Sequence, residues 1–224
     1  MFPIKINRHV CGGAILTKRW VITAGHCLKN GLPNDFRIMT GGEQDLKKME
    51  HVKFYNPEAF IMHCSYDVTA KTQDHDLGLI RIKEDIVFNA FTKPISMHPD
   101  PVPIGTELLI VGYGLTKLIL PKAPTKMRML YTNIINRDEC SKKMGKKITA
   151  GVICVYKAVQ KGICYGDSGS PFTLNGKLVG LASWGRPCAR GFPDMVASIA
   201  YHYKGIKKVM ERYSKKNIND ECIS

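Results

Sequence analysis

The chain has 224 residues, 44% of them hydrophobic, and a formal net charge of +14 at pH 7. This length is sufficient for one or two substantial hydrophobic cores within one compact unit. No apolar stretch approaches the ~18 residues that a membrane helix requires. The sequence therefore argues against a membrane-spanning helix, and we expect no membrane partner.

The first half of the chain is predicted to consist of β-strands. Short apolar or alternating runs, which are typical of strands, occur at 14–16, 20–22, 36–39 and 77–80. The second of these runs is followed closely by His26, and the last is directly preceded by Asp76. We therefore expect both side chains to lie at strand ends, where an acidic group can be buried.

A proline-dense segment at 98–103 separates two parts of the chain. Repeated prolines remove hydrogen-bond donors and keep the backbone extended, so this segment predicts a connection. Further strand-like runs follow at 108–111, 178–181 and 195–199. After residue 203 the apolar residues take helical spacing, which predicts an amphipathic C-terminal helix. Its apolar face consists of Ile206, Val209, Met210 and Tyr213.

The most informative motif surrounds Ser168, in the order Gly166, Asp167, Ser168, Gly169. A serine flanked by glycines can expose its hydroxyl group, and the amides of Gly166 and Ser168 can point together at a developing oxyanion. This pattern indicates acyl transfer. Because such short motifs also occur in surface turns, partner residues have to decide between the two interpretations.

His26 and Asp76 are the candidate partners of Ser168. The chain order His, Asp, Ser is the order of the chymotrypsin-type triad and differs from the orders of subtilisins and α/β-hydrolases. With these motifs, the sequence resembles the trypsin-like (chymotrypsin-fold) serine endopeptidases from about residue 2 to about residue 212. The resemblance implies that Ser168 attacks the scissile carbonyl, that His26 takes and returns the proton, and that Asp76 holds the imidazole tautomer.

The resemblance also implies the fold and the domain organisation. We expect an all-β protein with two antiparallel six-stranded Greek-key β-barrels and a C-terminal α-helix, and an active site in the cleft between the barrels. The whole chain, 1–224, then forms a single peptidase domain. Its predicted parts are an N-terminal barrel at 1–97, a connection at 98–103, a C-terminal barrel at 104–201, the helix at 202–216 and a tail at 217–224.

Eight cysteines indicate an oxidising compartment, so we expect a secreted, extracellular protein. The resemblance implies three disulfide bonds, Cys11–Cys27, Cys140–Cys154 and Cys164–Cys188. For Cys64 and Cys222 three interpretations stay open: a bond with each other, two free thiols, or an intermolecular link.

The sequence predicts neither a cofactor nor a metal. It contains no C-x-x-C motif, no H-E-x-x-H motif and no clustered set of ligands. The loop at 41–50 is short and lacks the spaced acidic residues of the vertebrate trypsin calcium site, so we expect no structural calcium.

Asp167 is the expected acceptor of an activation salt bridge. In the family that the chain resembles, the ammonium group of the mature N-terminus pairs with the aspartate before the catalytic serine. This chain opens with Met1, Phe2 and Pro3, which resembles sequence some ten residues inside the mature enzymes. We therefore expect that the mature N-terminus is missing and that the chain as given is zymogen-like or poorly formed around Asp167.

The specificity pocket is predicted to have an unusual arrangement of charge. Gly162, six residues before Ser168, occupies the place of the acid in trypsins, whereas Asp194 occupies a place that is glycine in most trypsins. This exchange resembles the crustacean collagenase-like (brachyurin) group and some insect proteases. It implies a broad or chymotrypsin-like preference at P1 with acceptance of Lys and Arg. The alternative is that Asp194 faces solvent and contributes nothing.

The expected partners are polypeptide substrates and protein protease inhibitors, bound to a monomer. A substrate backbone is expected to pair with Ser183, Trp184 and Gly185 as an added strand. The other face of the C-terminal helix is basic, either as a solvated face or as a patch for polyanions. It comprises Lys204, Lys207, Lys208, Arg212, Lys215 and Lys216. No motif accompanies this charge that would indicate nucleic acid. The alternative function is a non-catalytic protease homologue that acts as a binding or regulatory protein.

Overall fold

The computed structural model describes residues 1–3, 9–42, 45–67, 69, 74–116, 124–186, 188–213 and 222–224. The described residues form mostly β-structure with two α-helices. The predicted all-β fold with a C-terminal helix is therefore confirmed, and none of the described helices is both long and apolar enough to cross a membrane. The tail at 217–221 and the loop residues 43–44 lie outside the described residues.

In the first half of the chain, the described residues form seven strands in two antiparallel sheets. One sheet has the order β1-β4-β5 and the other has the order β2-β3-β7-β6. The strands are β1 (Phe2–Pro3), β2 (Ala14–Thr17), β3 (Trp20–Thr23), β4 (Phe36–Thr40), β5 (Lys53–Tyr55), β6 (Pro57–Met62) and β7 (Gly78–Ile82). Strand β3 is buried along its whole length, as its aromatic and β-branched residues favour.

The second half forms a closed antiparallel barrel of six strands. Its order is β12-β9-β10-β11-β14-β13, and pairing of β12 with β13 closes it. The strands are β9 (Glu107–Gly112), β10 (Arg128–Ile134), β11 (Val152–Tyr156), β12 (Pro171–Leu174), β13 (Lys177–Gly185) and β14 (Asp194–Ser198). A short strand that precedes the proline-dense connection, β8 (Ser96–Met97), pairs in parallel with β13. The chain thus already joins the second sheet at β8.

Two helices accompany this second barrel. Helix α1 comprises Arg137–Met144. Asn136 is its N-cap, and the Asn136 side chain accepts the backbone N–H of Asp138 at 2.7 Å. Gly145, in the left-handed conformation, is its C-cap. Helix α2 (Ile199–Tyr213) follows β14 directly, three residues before the predicted start at 202. The earlier start has a local reason, because the Ser198 hydroxyl accepts the backbone N–H of Tyr201 at 3.3 Å.

Helix α2 separates an apolar face from a basic face, as predicted. Ile206 and Val209 are buried, whereas the four basic residues of the described helix are exposed. These are Lys204, Lys207, Lys208 and Arg212. Lys215 and Lys216, which the same prediction included, lie outside the described residues.

One hydrophobic cluster joins the two halves and α2. It contains Ile22 and Leu79 from the first half, Leu178 and Leu181 from the second, and Ile206 from the helix, and each of these side chains is completely buried. Burial of such a side chain is worth roughly 1.5–3 kcal/mol. The shared cluster therefore fixes how the halves pack, and with it the positions of the strand ends that face each other across the cleft.

All eight cysteines are paired in the structure. The bonds are Cys11–Cys27, Cys64–Cys222, Cys140–Cys154 and Cys164–Cys188. Of the three interpretations that the sequence left open for Cys64 and Cys222, the structure thus contains the bond between them. This bond ties the segment after β6 to the end of the chain across 158 residues.

Candidate active site

His26 is held by a short turn at the end of β3. Residues Gly25–Cys27 form one turn of 3-10 helix, and Cys27 is anchored to Cys11. A side chain at residue 25 would crowd the neighbouring strand, since an added Cβ would lie 3.2 Å from Leu77 N and 3.3 Å from Asp76 Oδ1. The glycine at this place therefore lets the histidine approach the aspartate closely.

Asp76 is a buried carboxylate whose oxygens are fully engaged. Its side chain lies directly before β7 and the residue is 3% exposed. Oδ1 accepts the backbone N–H of His26 at 2.7 Å, and Oδ2 lies 2.8 Å from His26 Nδ1. Oδ2 also accepts the hydroxyl of Ser183 at 2.5 Å. Several donors offset the cost of burying this charge.

The contact with Asp76 determines the protonation of His26. A neutral His26 carries its proton on Nδ1, facing Asp76, and keeps the lone pair of Nε2 available. Burial alone would lower the pKa of His26, but the hydrogen bond and the negative charge of Asp76 outweigh it, so that the pKa is raised above its usual value. The arrangement suits a group that accepts and later returns a proton.

Ser168 lies in a tightly anchored loop that lines the same cleft as His26 and Asp76. Its carbonyl accepts the N–H of Gly12 at 2.8 Å, and the N–H of Gly169 donates to Ala182 O at 2.7 Å. Gly169 has a φ of 74°, and an added Cβ there would overlap Thr23 Oγ1. In the described part of the chain no hydrogen bond joins the Ser168 hydroxyl to His26, a contact that often tightens only when substrate is bound.

Two backbone amides beside Ser168 are available to a ligand. Within the described residues, neither the N–H of Gly166 nor that of Ser168 donates a hydrogen bond to the protein. Gly166 has a φ of 96°, a conformation that favours glycine. Its carbonyl is fixed from the other side by the Nε2–H of His9 at 2.8 Å. These two amides are the donors that the sequence predicted for an oxyanion hole.

Asp167 turns away from the cleft toward two glycines. Its carboxylate accepts the N–H of Gly114 at 2.9 Å and that of Cys164 at 3.0 Å. An added Cβ at Gly112 or Gly114 would overlap the carboxylate oxygens. Desolvation raises the pKa of Asp167 and the two amide hydrogen bonds lower it only in part. Among the described residues no cation forms a salt bridge with Asp167, so the activation partner stays a prediction.

Asp194, the acid that the sequence assigns to the specificity pocket, is buried at the start of β14. It does not itself line the cleft of His26 and Ser168, and Gly162 lines a neighbouring cavity. Asp194 is 5% exposed, so it does not face solvent. Oδ2 accepts the N–H of Ile163 at 3.0 Å, whereas Oδ1 has no hydrogen-bond partner among the described residues. The carboxylate lies between Gly162 and Gly185, whose added Cβ atoms would be 2.6 and 3.2 Å from its oxygens. Burial raises the pKa of Asp194 to about 7.

Ser183, Trp184 and Gly185 form the end of β13 and line the cleft. Gly185 on β13 is paired with Asp194 on β14. This strand pairing fixes the position of Asp194 relative to the three residues that line the cleft. The ammonium group of Lys146 lies 3.5 Å above the Trp184 ring. Lys146 had no signal in the sequence, because it follows α1 and reaches the cleft only through the fold.

Two further residues near the triad were also missed by sequence reasoning. Tyr66 lines the cleft, and burial together with the negative charge of Asp76 raises the pKa of its hydroxyl. His9, which contacts Gly166, has its pKa lowered to about 4, chiefly by burial, and therefore acts as a neutral donor. In the sequence, His9 lies two residues before Cys11, and this position alone does not indicate a functional role.

Comparisons with known proteins give matches over most of the chain. The family profile described as Trypsin matches residues 1–206. Hypodermin-A of Hypoderma lineatum is 34% identical over 210 residues, covering 89% of this chain and 79% of that protein. Serine protease 1 of Homo sapiens is 34% identical over 214 residues, covering 93% and 84%. Trypsin-4 of Rattus norvegicus is 30% identical over 209 residues, covering 90% and 80%.

Proposed function

Because this chain belongs to the trypsin family of serine endopeptidases, we propose that it hydrolyses peptide bonds of polypeptide substrates with Ser168, His26 and Asp76 as its catalytic triad. The observation that carries this assignment is the buried Asp76 carboxylate, which binds both the backbone N–H and the Nδ1 of His26. A carboxylate so placed orients the imidazole and stabilises its charged form.

The first half of the reaction forms an acyl-enzyme. The Ser168 oxygen attacks the scissile carbonyl while its proton passes to Nε2 of His26, and the charged imidazole is stabilised by Asp76. The oxyanion of the tetrahedral intermediate accepts hydrogen bonds from the N–H groups of Gly166 and Ser168. When the intermediate collapses, the C–N bond breaks and His26 gives its proton to the leaving amine.

The second half releases the acid product. A water molecule gives a proton to His26 and attacks the acyl carbonyl, and the same two amides stabilise the second oxyanion. Collapse of this intermediate breaks the bond to Ser168, and His26 returns the proton to the serine oxygen. The free amides are essential to both halves, and removal of one such donor in an oxyanion hole costs about 10²–10³ in kcat.

The pocket supports broad P1 specificity that includes basic residues. Gly162 has no side chain, and the Asp194 carboxylate occupies the space that one would need. The unpaired Oδ1 of Asp194 offers a hydrogen-bond acceptor to Lys or Arg from the side wall. A buried acceptor without a partner is costly, and a basic P1 side chain would remove that cost.

Secretion is supported by the disulfide content. Four bonds in a chain of 224 residues are typical of proteins that fold in an oxidising compartment. Detection of the intact, fully oxidised chain in the extracellular fraction tests this proposal. Its retention in the reducing cytosol with free thiols would contradict it.

The exposed basic residues of α2 support binding of a sulfated polysaccharide. Lys204, Lys208 and Arg212 are exposed on one helix, and clustered like charge raises the local potential. Retention on a sulfated-polysaccharide column should decrease in Lys204→Ala/Lys208→Ala. Lys53→Ala, which removes an exposed lysine outside α2, is the control. Elution of the double variant at the same salt concentration as the parent protein and the control would show that the basic face binds no polysaccharide.

An active-site label tests the proposed triad directly. A fluorophosphonate should label the naturally matured protein on Ser168, and Ser168→Ala should not be labelled. Ser96→Ala, which removes an exposed serine elsewhere, should be labelled like the parent protein. Absence of labelling in all three, with intact folding by circular dichroism, would support the non-catalytic homologue. Labelling of all three would place the nucleophile elsewhere.

A further inference from the structure

Three histidines from distant parts of the chain meet beside the candidate triad. His63 directly follows β6, His75 directly precedes Asp76, and His202 lies on α2. One ring nitrogen of each residue lies within 4.8 Å of the corresponding nitrogens of the other two. The proposed mechanism of proteolysis uses none of these side chains.

The spacing of two of the rings already fits a metal ion. His75 Nδ1 and His202 Nε2 are 3.1 Å apart, and their ring planes are nearly perpendicular at 84°. Two nitrogens that share a tetrahedral zinc ion, each about 2.0–2.1 Å from it, are roughly 3.3 Å apart. In the structure the Nδ1–H of His75 donates to Nε2 of His202. An ion between the two rings would take the place of this proton, and neutral His75 would then carry its proton on Nε2.

The His202 ring is oriented by a hydrogen bond outside the cluster. Its Nδ1 lies 2.7 Å from the carbonyl oxygen of Ser198 and donates to it, so the lone pair of Nε2 faces His75. Fixing a ligand tautomer through a backbone carbonyl is the usual outer-shell arrangement of metal-binding histidines. Because His202 is only 4% exposed, the ring has little freedom to turn away.

His63 completes the set and is the ring that has to adjust. It stacks on His75 with ring centroids 4.2 Å apart and is perpendicular to His202. Its Nδ1 accepts the backbone N–H of Ser65 at 3.1 Å. Ligation by His63 therefore requires either loss of this bond at Nδ1 or transfer of the ring proton that frees Nε2.

The cluster has an acidic neighbour. Asp74 is the acidic neighbour whose charge acts on His202, and its carboxylate accepts the hydroxyl of Thr149 at 2.5 Å.

The backbone around the cluster is constrained. His75 has a φ of 57°, a left-handed conformation that is uncommon outside glycine. The N–H of Leu77 donates to the His75 carbonyl at 2.7 Å, which closes a tight turn around the intervening Asp76. The next residue after His63 is Cys64, which is bonded to Cys222. Uncommon backbone conformations of this kind persist where the surroundings fix them, and they are concentrated at functional sites.

From this geometry we propose that His63, His75 and His202 bind a divalent transition-metal ion of the zinc type, with a fourth position open to water. Imidazole ligands suit zinc, copper and nickel, whereas calcium and magnesium require oxygen ligands. The sequence expectation of no metal missed this set because 127 residues separate His75 from His202. The other cluster of histidine and cysteine, around His26, is no such site because Cys11 and Cys27 are bonded to each other.

Metal binding at this site connects three separate segments. The ion would join the end of β6, the residue before Asp76, and α2, so it should stabilise the folded chain in proportion to its affinity. It would also fix the backbone immediately before Asp76. The proposal does not depend on the proposed protease mechanism, because its readout is binding.

Direct metal binding tests the proposal on the full, metal-free chain. Addition of Co²⁺ alone should give one bound ion per chain with the visible absorption of a tetrahedral nitrogen site, and Zn²⁺ should displace it. Zn²⁺ should also raise the melting temperature in a concentration-dependent manner. In His63→Asn and in His202→Asn the affinity should fall at least about tenfold.

Two control variants separate this site from other histidines. His26→Ala removes the candidate triad base, and His98→Asn removes a half-buried histidine of the connection. Both should bind Co²⁺ as the parent chain does. Loss of binding in His26→Ala with retention in His63→Asn and His202→Asn would overturn the proposal, as would absence of binding at millimolar metal. Should the variants fail to fold, X-ray absorption of the zinc-loaded parent chain decides, since fewer than three imidazole ligands would refute the site.

Discussion

The carboxylate of Asp194 occupies the space that a side chain at Gly162 would need. An added Cβ at Gly162 would lie only 2.6 Å from Asp194 Oδ2. The same oxygen accepts the N–H of Ile163 at 3.0 Å, so the carboxylate is not free to withdraw. The pocket therefore has room for an acid on one wall or at its base but not for both.

Removal of Asp194 should change the P1 preference selectively. In Asp194→Gly, kcat/KM should fall about tenfold to a hundredfold for peptides with Arg or Lys at P1, the usual range for loss of one charged hydrogen bond. Peptides with Phe or Leu at P1 should change little. The comparison is made with otherwise identical peptides, and the exposed Asp100→Gly serves as the control. An unchanged profile in Asp194→Gly would show that the acid does not contact P1.

Moving the acid from residue 194 to residue 162 should restore discrimination between basic and apolar residues at P1. The double variant Gly162→Asp/Asp194→Gly should prefer Arg and Lys over Phe more strongly than the parent protein does, because the acid then meets the end of the P1 side chain. The single variant Gly162→Asp should unfold at lower denaturant than the parent protein, since it places two carboxylates in contact. Equal stability of parent and single variant in urea would contradict this account of the pocket.

The pH dependence of P1 preference should reveal the ionisation of Asp194. Burial raises the pKa of its carboxyl to about 7, so the group is mostly protonated below that pH and charged above it. The ratio of kcat/KM for Arg to kcat/KM for Phe at P1 should therefore rise as pH passes through about 7. Taking the ratio cancels the ionisation of His26, which both substrates share. A ratio that is flat between pH 5 and 9, a range set at roughly two units either side of neutrality, would refute the assignment.

Replacement of Asp76 by asparagine should remove most of the activity. An amide at residue 76 no longer favours the proton on Nδ1 of His26, and in the chymotrypsin family this substitution lowers kcat by about 10⁴. The acidic limb of the kcat/KM profile should also move to lower pH, because Asp76 is what raises the pKa of His26.

Ser183→Ala is the matched control for Asp76→Asn. It removes the hydroxyl that donates to Asp76 Oδ2 but keeps the carboxylate, so kcat should fall only about tenfold. Comparable losses in both variants would mean that Asp76 acts through Ser183 rather than through His26.

The disulfide between Cys64 and Cys222 should contribute more stability than the shorter ones. By loop-closure entropy, the bond with a sequence separation of 158 is worth roughly 5 kcal/mol, against roughly 3 kcal/mol for Cys140–Cys154 with a separation of 14. Urea unfolding of Cys64→Ser/Cys222→Ser and of Cys140→Ser/Cys154→Ser measures both. The reverse order of the two losses in free energy of unfolding would contradict the entropic account.

The strands with apolar or alternating sequences were predicted well. The runs at 20–22, 77–80 and 178–181 each fall within or next to an observed strand, because burial on one or both faces leaves that pattern. Strand β10 was missed because it exposes hydrophobic residues, with Met129 68% and Tyr131 49% exposed. Helix α1 was missed because only Cys140 is buried, although Asn136 and Gly145 carry recognisable capping signals.

The candidate site was predictable where its residues lie in local motifs. His26, Asp76 and Ser168 each follow or precede a recognisable run, and the structure brings all three to one cleft. The position of Asp194 opposite Gly185 depends on pairing between β13 and β14, which the sequence does not specify. The meeting of His63, His75 and His202 depends on where α2 packs. Contacts between distant segments are decided by the tertiary fold and leave no local pattern.

The hydrogen bond from Ser183 to Asp76 has one more consequence. Asp76 belongs to the first half of the chain and Ser183 to the second. The carboxylate of Asp76 therefore receives all of its hydrogen bonds only when both halves have docked. A displacement of an ångström or two between them would break this bond and leave a buried carboxylate short of a donor. On the proposed mechanism, newly made chains and fragments cut between the halves stay proteolytically silent, which spares the surrounding proteins until assembly is complete.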